Sequence, residues 1–203
     1  RAPWRGASAP VDGLTIAAVA IVAVYTVSFD GFSATSTYRA GLAAVAGSGA
    51  PGLPVGVALY LLGLATFLAA FGIVASVVER LGGLADERAA IRAFAPTVLP
   101  IAVAYEVAHN YPYVARNLGQ LPVVLGAPFG LALAPADPLG WLTLPDFWAS
   151  QVVLVVLGHL VAVVAAHRVA VGRYPDRRLA TRAHVPQTAL MVTYTVLSLW
   201  IVS

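Results

Sequence analysis

The sequence predicts an all-α membrane protein, a polytopic transmembrane helical bundle of about five spans. Three observations carry this: 60% of residues are hydrophobic, only 10% are charged, and the apolar runs are continuous rather than alternating. Ordinary soluble domains carry about 25% charged residues, so this chain has too few to clothe a surface in water. A hydrocarbon core roughly 30 Å thick needs about 20 mostly apolar residues as helix. Lipid-facing backbone must also satisfy its hydrogen bonds internally, which leaves helices or closed barrels, and a barrel strand alternates apolar with polar.

Five stretches fit spans, at residues 14–29, 55–78, 93–113, 147–171 and 187–202, the first and last being the shortest. Residues 84–92 read as a short amphipathic lead into the third span. The connections 30–54 and 114–146 are long, rich in glycine and proline and poor in charge, so they are expected as functional or packed loops. Within the second, residues 121–133 are apolar but interrupted by Pro122, Gly126, Pro128 and Gly130, which predicts a re-entrant or surface segment rather than a span. Pro96, Pro100 and Pro112 fall in the third span, where each removes a backbone donor and can kink the helix to open space for a site.

All twelve basic residues are arginine, and their placement predicts an orientation, because cytoplasmic connections hold the excess of Lys and Arg. Arg1 and Arg5 precede span one. Arg80, Arg88 and Arg92 join spans two and three, while Arg168, Arg173, Arg177, Arg178 and Arg182 end span four or lead to span five. Five alternating spans with a cytoplasmic N-terminus place these ten on one side and leave only Arg39 and Arg116 outside. The net charge of +3 is thereby read as a topology signal, and no motif for nucleic acid is present. The expected location is the plasma membrane of a prokaryote, with the lipid bilayer and other membrane subunits as partners. The absence of cysteine removes disulfides, thiolate metal sites and a cysteine nucleophile. Residues 1–203 read as one transmembrane domain, expected as the C-terminal part of a longer chain because position 1 is arginine.

Ionisable side chains in hydrocarbon are costly and commonly mark function. Glu106 and His109 lie three residues apart on one face of span three, with Tyr105 on nearly the same stripe. His159 lies near the middle of span four and His167 near its inner end. Eight residues of helix separate these two by roughly 12 Å, too far for one ion. The expected cluster is therefore Glu106, His109 and His159, a donor set that suits zinc, iron, manganese or copper. Asp30, at the outer end of span one, is a ligand, a general base or a helix terminator beside Gly31, the last favoured by the Asp-Gly turn signal.

Phe29-Asp30-Gly31-Phe32, LPIAVAYEVAH ending at His109, LGHLVAVVAAH ending at His167 and YTVLSLWIV beginning at Tyr194 resemble a family of polytopic membrane proteins of actinobacteria and haloarchaea commonly labelled fenitrothion hydrolase. The resemblance spans most of the chain and implies hydrolysis of an organophosphate ester. The chain departs from many members in having Glu106 where they have histidine. Two function classes follow. One is a metal-dependent hydrolase, with metal on His109, His159 and Glu106, and with Glu106 or Asp30 as general base. The other is a haem-binding or structural subunit of a respiratory-type membrane complex, with b-type haem held between His109 and His159. A transporter using Glu106 and the histidines as a proton relay is a third class, weakened by the lack of an internal repeat.

Overall fold

The computed structural model describes residues 3–47, 49 and 52–202, and every regular element among them is helical. Arg1 lies outside these residues, as does the side chain of Arg5, so their part in the arginine pattern has no structural counterpart here. A 3-10 turn at Pro3–Ser8 precedes α1 (Leu14–Ser33), α2 (Ser36–Gly47), α3 (Gly52–Leu81) and α4 (Glu87–Phe94). A 3-10 turn at Ala95–Val98 then leads into α5 (Leu99–Gly119), followed by α6 (Leu121–Gly126), α7 (Leu144–Arg173) and α8 (Arg177–Val202). Among the described residues four stretches are long and apolar enough to cross a membrane: α1, α3, residues 87–129 around α5, and α7. The chain is a multi-pass membrane protein. The fifth long helix, α8, carries Arg177, Arg178 and Arg182 at its start, so its apolar part is confined to the remainder.

The five long helices alternate in direction. Glu79 near the end of α3 meets Arg173 at the end of α7, whereas the last turns of α1 and α8 meet α5 at the opposite end. The arginine-rich end is here termed inner and the other outer. Small residues let the helices close on one another, as membrane bundles require when lipid offers no hydrophobic drive between them. Ala17, Ala75, Ala90, Ala162, Ala166 and Ala170 are all fully buried in one core. Gly158 brings α7 close against α5, since a Cβ there would stand 2.3 Å from Ala104 Cβ and 2.9 Å from the Pro100 carbonyl oxygen.

Several elements differ from expectation, among them α8, which begins at Arg177 rather than at residue 187. Part of the connection 30–54 is helical, because Thr35 caps α2 by accepting the Tyr38 amide at its Oγ1, 3.2 Å away. None of the side chains of α2 is buried. Span three starts later, since Pro96 sits in the 3-10 turn and Pro100 in the first turn of α5, where a missing amide costs least. Helix α7 starts earlier, because Thr143 accepts the Asp146 amide and donates its hydroxyl to the Asp146 carboxylate at 2.6 Å. Residues 87–94 form the expected amphipathic helix, capped by Asp86, and α6 is short and non-spanning.

Candidate functional site

The outer ends of α1, α5, α7 and α8 enclose a partly polar cavity, and its walls follow from two backbone features. The first is Gly31. Helix α1 runs through Asp30 and Gly31 to Ser33, so Asp30 does not terminate it. The Tyr105 hydroxyl lies directly against Gly31, where a Cβ would stand only 1.8 Å from it. This approach of α1 to α5 brings the neighbouring Asp30 carboxylate to 3.5 Å from His109 Nε2. The Tyr105 and His109 rings stack, with centroids 6.1 Å apart.

The second feature is Pro112 inside α5, which has no amide to give to the carbonyl four residues earlier. Gln151 of α7 takes that role, donating from Nε2 to the Ala108 carbonyl at 2.9 Å. Its Oε1 is buried without a partner, as is the Tyr105 hydroxyl. Both residues line the cavity, of about 390 Å³, with His109, Arg116, Trp148 and Ile201. A second cavity of about 590 Å³, under residues 135–144, shares Pro112, Arg116 and Phe147 with the first. On the far side of Ile201 a third space of about 420 Å³ is walled by aromatic rings, among them Tyr25, Phe29, Phe32, Tyr38 and Phe67.

The other expected site residues lie apart from this cavity. Glu106 is exposed on the flank of α5 and accepts the Asn110 side-chain amide at 2.9 Å. The spacing of three residues leaves it about 60° around the helix from His109, and α1 covers only the His109 side. His159 is buried, with Nδ1 2.8 Å from the Val155 carbonyl and its ring 5.7 Å from Tyr194 of α8. It is Gly158 that faces α5, which turns His159 toward α8. The expected grouping of Glu106, His109 and His159 is thus not assembled. Among the described residues no three of His, Asp and Glu gather as ligands for one ion. His109 keeps one acidic neighbour, Asp30, short of the three protein ligands usual for catalytic zinc. Nor do His109 and His159 face each other as axial ligands of a b-type haem. His167 pairs with His184 instead, ring centroids 5.3 Å apart, at the inner end.

Comparison with protein-family models, curated proteins and solved structures finds no match.

One ionised centre was not among the sequence candidates. Glu79 is fully buried at the inner end of α3 and receives Arg173 at both carboxylate oxygens, 2.6 and 3.0 Å away. The Tyr174 hydroxyl donates to the same carboxylate at 3.2 Å and the Asp86 amide at 3.3 Å. Burial, and then the nearby Glu79 charge, push the Tyr174 hydroxyl up to about 12. Gly82 makes room for that ring, for a Cβ there would stand 2.0 Å from it. The carboxylate has four donors and no open cavity, so its work is to clasp α3 and the turn after it to α7. Its signal in the sequence is the pairing of Glu79 with Arg173, each just past the apolar run of its span at the inner end of two spans that run in the same direction.

Proposed function

We propose that this membrane protein hydrolyses a lipophilic ester in the outer cavity, with Asp30 and His109 as its acid–base centre. The observation that carries the reading is the Asp30–His109 pair beside a cavity in which Tyr105 and Gln151 each present a buried polar atom without a partner among the described residues. Asp30 faces Nε2, so Nδ1 is the nitrogen left to take a proton from water. That water attacks the ester centre, and the proton passes from His109 to the leaving oxygen. Tyr105 supplies a hydroxyl donor for the developing oxyanion, and Arg116 at the rim favours negative charge. A divalent metal such as zinc, iron, manganese or copper, where bound, would contact Asp30 and His109 and polarise the ester. The family resemblance at residues 29–32 and 99–109 agrees with hydrolysis.

The test is product release from a chromogenic aryl carboxylate ester and an aryl phosphotriester by protein in lipid nanodiscs, with and without zinc or manganese. Asp30→Asn and His109→Gln are expected to lower the rate by roughly 100-fold or more. Wild-type rates equal to those of empty nanodiscs under all these conditions, or an unimpaired His109→Gln, would refute the reading. Elemental analysis and a visible spectrum decide between metal, haem and neither.

A place in a larger assembly of the prokaryotic plasma membrane is favoured by Glu106. A carboxylate on the outward flank midway along α5 is costly against lipid, and a neighbouring subunit with a donor side chain relieves that cost. Extraction as a monomer in mild detergent, unchanged by Glu106→Gln, would remove this second reading.

A further inference from the structure

Every buried side-chain polar atom that lacks a partner among the described residues lies on one interior stripe. Tyr105 and Gln151 open on the outer cavity, Ser198 and Gln187 belong to α8, and His159 stands between them on α7. Buried polar groups are ordinarily satisfied by protein or by water, and here six unpartnered atoms share one stripe of an otherwise apolar bundle.

The order along the stripe follows from α8, which runs from the inner end outward. Ile201 lines the outer cavity, Ser198 lies three residues below it, Tyr194 four below that, and Gln187 a further seven. Fourteen residues of helix cover about 21 Å of a hydrocarbon core roughly 30 Å thick. Three residues before Gln187, His184 is hydrogen-bonded at Nδ1 to Thr188 Oγ1, 2.9 Å away, and packs on His167. The titratable groups along the stripe are therefore Asp30, His109 and Tyr105 at the outer end, His159 and Tyr194 at the centre, and His184 with His167 at the inner end. Glu106 is not on it.

We propose that this stripe is a transmembrane proton path, with His159 as its central relay and Met191 as its gate. The Val155 carbonyl can only accept, so Nδ1 of neutral His159 carries the ring hydrogen and Nε2 presents a lone pair. A proton arriving through water at Nε2 makes an imidazolium, which releases it to the next water, with no change of oxidation state. The transmembrane potential or proton gradient drives the net movement. Tyr194 donates to the Val24 carbonyl at 3.2 Å, and its oxygen can still accept from Ser198, one turn further along α8. Met191 is buried on the same face of α8 between Tyr194 and Gln187, a long apolar interruption of the stripe. A void of about 30 Å³ lies beside it, room into which a flexible thioether can swing.

The proposal stands independently of ester hydrolysis, since no residue between Ser198 and His184 touches the outer cavity. Its test is reconstitution in liposomes holding a pH-sensitive dye, with a potassium diffusion potential set by valinomycin. Wild-type vesicles should acidify faster than protein-free ones, His159→Phe should cut that excess at least tenfold, and Met191→Ala should raise it several-fold. Flux at the protein-free rate in both wild type and Met191→Ala overturns the proposal, and so does undiminished flux in a folded His159→Phe. Should His159→Phe fail to fold, Met191→Ala against Met191→Trp decides. A higher flux in the first supports the gate and equal fluxes overturn it.

Discussion

At Gly31 the clearance between α1 and α5 is set by a missing methyl group, and the placement of Asp30 against His109 depends on it. Alanine there puts Cβ 1.8 Å from the Tyr105 hydroxyl and 2.9 Å from the ring carbon bearing it. We expect Gly31→Ala to destabilise the detergent-solubilised protein by about 1–3 kcal/mol, measured as a fall in unfolding midpoint, and to separate Asp30 from His109. Adding Tyr105→Phe should return part of the loss, because the nearest clashing atom is then gone. The sequence at 30–31 is ambiguous for a physical reason: Asp-Gly serves a turn, and glycine equally serves a close helix contact. Nothing in one chain's residues separates the two. His109 was legible as costly in a span, whereas its partner depended on which flank of α5 the first helix covers.

Among elements, α3 and α7 are joined at their inner ends by the Glu79–Arg173 pair. Glu79→Ala removes the carboxylate that neutralises a largely buried guanidinium, so we expect a loss of about 3–5 kcal/mol in denaturant unfolding. The double replacement Glu79→Leu with Arg173→Met should cost clearly less than either single change. Equal or additive losses would show that the clasp contributes no coupling. Apolar run length made the long helices readable, since it responds to membrane thickness alone. The start of α5 was harder, because Pro96 and Pro100 leave the run apolar while moving the helical boundary. The α2 segment was hardest, since a cap at Thr35 and contacts with α3, rather than an apolar face, hold it. Pro112 was visible as a missing donor, yet the amide that replaces it, Gln151, lies 39 residues away and is known only once α5 and α7 are packed.

For the whole molecule, the arginines predict that residues 82–86 and 174–176 face the cytoplasm and residues 130–143 do not. Ala85, Pro175 and Ala134 are exposed, so cysteines placed there report directly. In intact cells an impermeant maleimide should label Ala134→Cys and spare Ala85→Cys and Pro175→Cys, and the reverse pattern would invert the topology. The cavities impose a further order on the molecule. Ile201 forms a wall of the polar cavity and also of the aromatic space beside it. If the outer cavity takes a lipophilic ester as proposed, this shared wall gives a guest dissolved in the bilayer a short sideways route to Asp30 and His109, without first leaving oil for water. On that reading the branched side chain near the end of the last helix is a doorsill, which would sort guests by girth before any charge inside could sort them by chemistry.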